Sequence, residues 1–285
     1  MEFLNILYIT IIIVGITAQG VIKKMYNKVD CGGVFVFSAV SVVAAATFFL
    51  VRSGFKLTLA AEMLPYAFGF AAAYSVATVF NFLAIQCGPL SLTSLATSYS
   101  LLIPTFYGLI FDKDEAGIWL YIGLGLLAVS LFLINAKSGE MKITLKWAIF
   151  AALALVGNGL CSTVQTVQTA AFGGKYDDSF MIISLATVFV VLCLCSVFTE
   201  KEKILPSIKG GWYYMLICGI ANGAVNLFVM LASEVVNKSV MFPLISAGGI
   251  VLTWVVSIFL YKEKLTLKQN IGMILGIAAI VFLNL

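Results

Sequence analysis

The sequence predicts an all-α membrane protein of ten transmembrane helices, arranged as two inverted five-helix repeats. Three observations predict it. Of 285 residues, 62% are hydrophobic and only 11% charged, whereas a soluble domain is about half apolar and about a quarter charged. The apolar residues gather into ten runs, each near the roughly 20 residues a helix needs to span a bilayer. The second half of the chain also repeats the order of the first.

The runs are Phe3–Ile22, Gly33–Val51, Met63–Ile85, Leu90–Phe111, Ala116–Ile134, Leu145–Gln168, Phe180–Phe198, Trp212–Leu231, Ser239–Leu260 and Leu267–Leu285. Loops between them are short and leave no extramembrane domain. The runs do not alternate as barrel strands do, so helices are the structure that satisfies their backbone in lipid. The first run starts after Glu2, lacks a basic leader and is followed by Lys23-Lys24, which suits an uncleaved helix better than a signal peptide. The fourth carries Pro89 near its start and Pro104 inside; the ninth carries Pro243 and Gly248-Gly249. Interior proline removes a backbone hydrogen bond and bends a helix, so Pro104, Pro243, Gly248 and Gly249 are the expected gating positions.

The repeat shows as near-constant offsets. Asp114 and Glu263, Ile122 and Ile271, Gly123 and Gly272, Leu126 and Leu275, and Asn135 and Asn284 are each 149 apart. Tyr66 and Tyr214, Phe80 and Phe228, and Leu83-Ala84 and Leu231-Ala232 are 148 apart. Val14-Gly15 and Val156-Gly157 are 142 apart. The halves are residues 1–140 and 141–285. An odd number of helices per half makes the second enter the membrane from the opposite side, an arrangement common in secondary transporters, with the site near the midplane.

Composition also excludes chemistries. There is no histidine, so Ser-His-Asp and Cys-His catalysis, HExxH zinc sites and haem ligation through histidine are out. Six cysteines form no CxxC pair, and most sit in apolar runs as small hydrophobes. No catalytic residue, metal or cofactor is expected. A net charge of +4 spread over loops makes no basic patch for nucleic acid.

Ionisable residues inside a membrane are functional candidates, and here there are almost none at midplane depth, with no aspartate or glutamate at any of the ten helix centres. Glu62, Lys113, Asp177, Asp178, Lys201 and Glu263 are expected at helix ends or in loops, and Glu234 and Lys238 flank a turn where they could pair. Neutral polar residues form stripes instead. Tyr74, Thr78 and Asn81 share a face in the third run, and Asn222 and Asn226 share one in the eighth. The 148 offset carries Tyr74 onto Asn222 and Thr78 onto Asn226. Asn158 and Gln165 share a face in the sixth run with Ser162, the first offers Gln19, and the fourth offers Ser98 and Tyr99. The expected cavity-lining set is Gln19, Tyr74, Thr78, Asn81, Tyr99, Asn158, Gln165, Asn222 and Asn226. The competing reading is that these amides fasten helices to one another.

An acidic elbow residue followed nine positions later by glycine (Asp114 and Gly123, Glu263 and Gly272), within ten helices in two halves, resembles the EamA-type transporters of the drug/metabolite transporter superfamily. The ending, GGIVLTWVVSIFLYKEKLTLKQNIGMILGIAAIVFLNL, looks like the last two helices of small multidrug resistance proteins. Those proteins use a glutamate in the first helix; the corresponding stretches here, IIIVGITAQG and ALVGNGLCST, have no carboxylate.

These readings imply a secondary transporter moving a small organic solute by alternating access, an exporter in direction. The solute is an amino acid, a related metabolite or an amphiphilic amine or drug; Tyr74 and Tyr99 offer aromatic faces to a cation. The alternatives are a polytopic membrane enzyme and a non-transporting membrane partner. The expected location is the plasma membrane of a bacterium, as a multi-pass integral protein. Partners are the solute, the bilayer and a possible second copy through the GxxxG face of Gly272 and Gly276. Lys23, Lys24, Lys28 and the other lysine-rich loops put twelve cations on one side against five on the other, which places the termini outside. The resemblance implies cytoplasmic termini.

Overall fold

The computed structural model describes residues 2–28, 32–107, 117–135, 144–235, 238–262 and 265–282. Among the described residues all regular structure is helical. The helices are α1 (Glu2–Tyr26), α2 (Val34–Arg52), α3 (Leu64–Cys87), α4 (Leu90–Ser98), α5 (Leu102–Tyr107), α6 (Ile118–Asn135), α7 (Leu145–Phe172), α8 (Asp177–Thr199), α9 (Ile204–Val235), α10 (Lys238–Tyr261) and α11 (Leu267–Phe282). They fall on the ten apolar runs. Six stretches, in α1, α2, α3, α7, α8 and α9, are long and apolar enough to cross a membrane, and α10 and α11 add shorter apolar helices. Large apolar side chains such as Phe198, Phe259 and Leu194 stay exposed on the outside, a surface that suits lipid rather than water.

Local chemistry sets the helix ends. Thr144 caps α7 by accepting from Trp147 N at 3.1 Å, and Gly173 ends it in the left-handed region at φ 57°, where glycine carries no Cβ penalty. Thr266 and Gln269 form a reciprocal capping box on α11. The first turn of α2 is held from outside: the Glu200 carboxylate accepts from Val34 N and Phe35 N, both at 2.9 Å, and from Val36 N at 3.4 Å. At the other end of this antiparallel pair, Arg52 of α2 pairs with Asp178 of α8.

Two sequence expectations change. The fourth run is not one helix, because Tyr99–Leu101 tightens into a 3-10 turn between α4 and α5. Pro104 has no N–H to give the Ser100 carbonyl and its ring presses on that carbonyl, so the helix breaks one turn before the proline. The first helix also runs past Ile22 to Tyr26, so Lys23 and Lys24 are helical rather than part of a loop. The Asp112–Glu115 elbow, Lys113 and Glu263 lie outside the described residues, as do the side chains of Glu234, Lys238 and Pro243.

The packing has a regular plan. α3 lies on α7 and α1 on α9; α2 lies on α9 and α3 on α8; α4 lies on α7 and α1 on α10. α2 packs on α8, α4 on α10, and α6 on α11. Glycines allow close approaches at two of these contacts. A Cβ on Gly157 of α7 would lie 2.6 Å from Ala77 N and 2.9 Å from Ala73 O of α3. A Cβ on Gly15 of α1 would lie 2.5 Å from Val225 Cγ2 and 3.7 Å from Ala221 O of α9. The largest apolar core joins α2, α3, α8 and α9, and a second joins α4, α7, α10 and α11.

Candidate functional site

Between these helices lies a cavity of about 310 Å³. Its walls come from α1, α2, α3, α4, α7, α9 and α10, and among the described residues none of α6 or α11 lines it. Eight of the nine residues expected to line a cavity do so: Gln19, Tyr74, Thr78, Asn81, Asn158, Gln165, Asn222 and Asn226. Their spacings of three, four and seven place one polar stripe per helix, and the packing turns every stripe inward.

Four of them are bonded to one another. Tyr74 Oη donates to Asn222 Oδ1 at 2.8 Å, and Asn222 Nδ2 donates to Gln19 Oε1 at 3.1 Å. Asn226 Nδ2 donates to the Asn222 carbonyl at 2.9 Å and to Asn222 Oδ1 at 3.2 Å. Asn222 therefore both lines the cavity and ties α1, α3 and α9 together, so lining and fastening coexist in one residue. Asn158 and Gln165, on α7, line the cavity without a side-chain hydrogen bond to another described residue.

Tyr99 is the exception. It is buried away from the cavity, its hydroxyl 2.8 Å from Ser130 Oγ of α6, which donates to the Gly272 carbonyl of α11 at 2.7 Å. Thr97, Ser98 and Ser100 line the cavity, while Tyr99, in the 3-10 turn, is directed toward α6, where its buried phenol finds a partner. The Gly272 and Gly276 face is occupied within the chain as well: a Cβ on Gly276 would meet Tyr99 Oη at 2.5 Å and Ser130 Oγ at 2.9 Å.

Of the expected gating positions, Gly249 lines the cavity. Gly248 lets α10 close on α1, where a Cβ would lie 2.4 Å from Ile13 Cδ1. Next to them Thr17 and Thr253 hydroxyls meet at 3.3 Å. Pro104 sits beyond the break in the fourth run.

Several lining residues were not foreseen. Ser38 and Ser41 of α2 and Ser94 and Thr97 of α4 add hydroxyls. The most consequential is Lys23 of α1, whose Nζ donates to Asn81 Oδ1 at 3.0 Å. It lies four residues beyond Gln19, on the same helix face, a spacing that carried the signal. Among the described lining residues there is no aspartate or glutamate.

A multi-helix integral membrane protein with a polar cavity at its centre is the class these features define. A family model described as "EamA-like transporter family" matches residues 143–285, and the chain belongs to that family of membrane transporters. No curated protein matches the sequence significantly. A solved structure described only as "Crystal structure of protein" is similar with a TM-score of 0.64 at 13% identity, over 97% of this chain and 98% of that one; at that identity it is a likeness of fold.

Proposed function

We propose that this protein is a secondary transporter that moves a small organic solute across a bacterial plasma membrane by alternating access, in the export direction. The solute class is an amino acid, a related metabolite or an amphiphilic amine. The observation that carries the reading is the cavity itself: polar stripes from α1, α3, α7 and α9 converge on a space of about 310 Å³, large enough for a metabolite-sized molecule. An amide facing lipid without a partner costs several kcal/mol, so these stripes face a wet interior.

In this reading alternating access rests on two inverted five-helix halves, residues 1–140 and 141–285, with α4 and α5 counted as one broken span. Exchanging the halves (α1 with α7, α2 with α8, α3 with α9, α4 with α10, α6 with α11) maps the strong helix contacts onto one another: α3·α7 becomes α9·α1, α2·α9 becomes α8·α3, and α4·α7 becomes α10·α1. The glycine contacts follow the same exchange. Gly157 meets Ala73 and Ala77, and Gly15 meets Ala221 and Val225; each of those partners is displaced by the same 148 residues that separate Tyr74 from Asn222. A carrier built this way opens the cavity to one side at a time by rocking one set of helices against the other.

The test is counterflow. Purified protein in liposomes loaded with an unlabelled metabolite mixture is expected to accumulate labelled members of that mixture transiently. Empty liposomes serve as the control, and absence of any counterflow across the mixture would sink the proposal. Cysteine accessibility at Thr58 and Lys146, on opposite ends of the bundle, would report the topology.

A further inference from the structure

We infer that the transported solute carries a single carboxylate, and that Lys23 is the residue that recognises it. This inference rests on the transporter reading above and narrows its substrate class. Lys23 lies in the last turn of α1 and is half-buried, with its ammonium at the cavity wall. It meets a neutral partner, Asn81 Oδ1, at 3.0 Å. No described carboxylate lines the cavity to balance it.

A charge taken out of bulk water is costly unless paired. The carbonyl end of α1 offsets part of that cost, since a cation is favoured there. That leaves two of the three ammonium protons without a described side-chain acceptor, on a residue that lines the cavity. The rest of the lining is neutral: amides, hydroxyls, Tyr74 and the apolar Phe37 and Phe70. One cation among neutral donors matches one negative charge. A phosphate, near two negative charges at neutral pH, would bring more charge than this wall compensates. A cationic amine would meet Lys23 as a like charge. Monocarboxylates and zwitterionic amino acids fit both limits, their carboxylate on Lys23 and Asn81 and their organic part toward Tyr74 and Phe70.

The experiment uses full-length protein in liposomes presented with a defined equimolar mixture of monocarboxylates, zwitterionic amino acids, their primary amides, primary amines, polyols and sugar phosphates. Internalised compounds are identified by mass spectrometry. The expected result is uptake confined to compounds bearing a carboxylate, with each corresponding amide at least about tenfold weaker, the scale of one charge-assisted hydrogen bond. Lys23→Met, which keeps the length of the stem, is expected to lose that uptake by about tenfold or more, and Lys23→Arg to retain more of it than Met. Melting temperature and elution volume of both variants confirm folding; should Lys23→Met fail to fold, the acid-to-amide ratio in the wild type and in Lys23→Arg decides. Uptake of amines, polyols or sugar phosphates, or carboxylate uptake indifferent to Lys23→Met, overturns the inference and leaves the transporter reading standing. Uptake of nothing in the mixture overturns both.

Discussion

Tyr74 and Asn222 are separated by 148 residues in the chain and joined by a 2.8 Å hydrogen bond in space. That separation is also the offset by which the third apolar run maps onto the eighth. Two equivalent positions can touch only where any two-fold axis relating the halves passes between them. Both residues line the cavity, and the bond gives Asn222 a duty that Asn158 lacks.

That difference is measurable. Asn222→Ala removes the acceptor of Tyr74 and the donor to Gln19. It is expected to cost about 0.6–2 kcal/mol of stability, the range for hydrogen bonds between membrane helices, and to weaken transport. Asn158→Ala and Gln165→Ala are expected to leave thermal stability in detergent close to wild type while lowering transport per folded molecule. Equal destabilisation by all three would mean that the amides of α7 are fasteners too.

The Tyr99 cluster makes the opposite claim. Tyr99, Ser130 and the Gly272 carbonyl link the end of α4 to α6 and α11. Tyr99→Phe leaves Ser130 bonded to Gly272 and is expected to cost about 1 kcal/mol. Ser130→Ala also strands the buried phenol and is expected to cost more. Neither should change the apparent affinity for solute, because neither group reaches the cavity. A raised KM with Tyr99→Phe at unchanged melting temperature would return Tyr99 to the site.

How much of this was legible depended on the kind of signal. Stripes at helical period survive into the structure because packing must turn them inward, which is why Gln19, Tyr74, Asn158 and Asn222 converge. Lys23 was hidden by a hydropathy boundary: the apolar run stops at Ile22, but the backbone stays helical for another turn. Tyr99 lies in a 3-10 turn that no spacing signals, and its phenol bonds to Ser130 instead of lining the cavity. Ser94 and Thr97 of α4 gave no pattern, since serine and threonine in helices satisfy themselves locally, as Thr97 does on the Thr93 carbonyl at 2.9 Å. The role of Glu200 could not be read from spacing, because its partners at Val34, Phe35 and Val36 are about 165 residues away.

Glu200 supplies a third prediction. Its carboxylate takes three backbone N–H groups at the start of α2, the groups a helix leaves unpaired, and a negative charge there also favours the helix dipole. Glu200→Ala is expected to cost about 1–2 kcal/mol, the upper part of the range for a lost cap. Glu200→Gln keeps one acceptor oxygen and is expected to lose less. Thermal unfolding of the two variants ranks them, and equal loss would show that charge, rather than acceptor geometry, is what α2 requires.

The break before α5 gives the last prediction. Pro104 leaves the Ser100 carbonyl without its helical donor, and the chain answers by tightening at Tyr99–Leu101. Ser100 lines the cavity, and its carbonyl abuts Gly159 of α7, where a Cβ would come within 2.6 Å. The break thus sits between the cavity and α7. Pro104→Ala supplies the missing N–H and removes the ring, so residues 90–107 can close into one α-helix. A gain of about 1–3 kcal/mol in stability is expected, up to the penalty of an interior proline. If the break is a gating element, the straightened helix slows exchange between inward- and outward-open forms. Maximal uptake rate should then fall several-fold with apparent solute affinity unchanged, since Asn222, Gln19 and Lys23 are untouched. A stabilised variant with an unchanged rate would make the break a static kink. A variant with weakened affinity would instead place the turn in the binding wall, through Ser98 and Ser100.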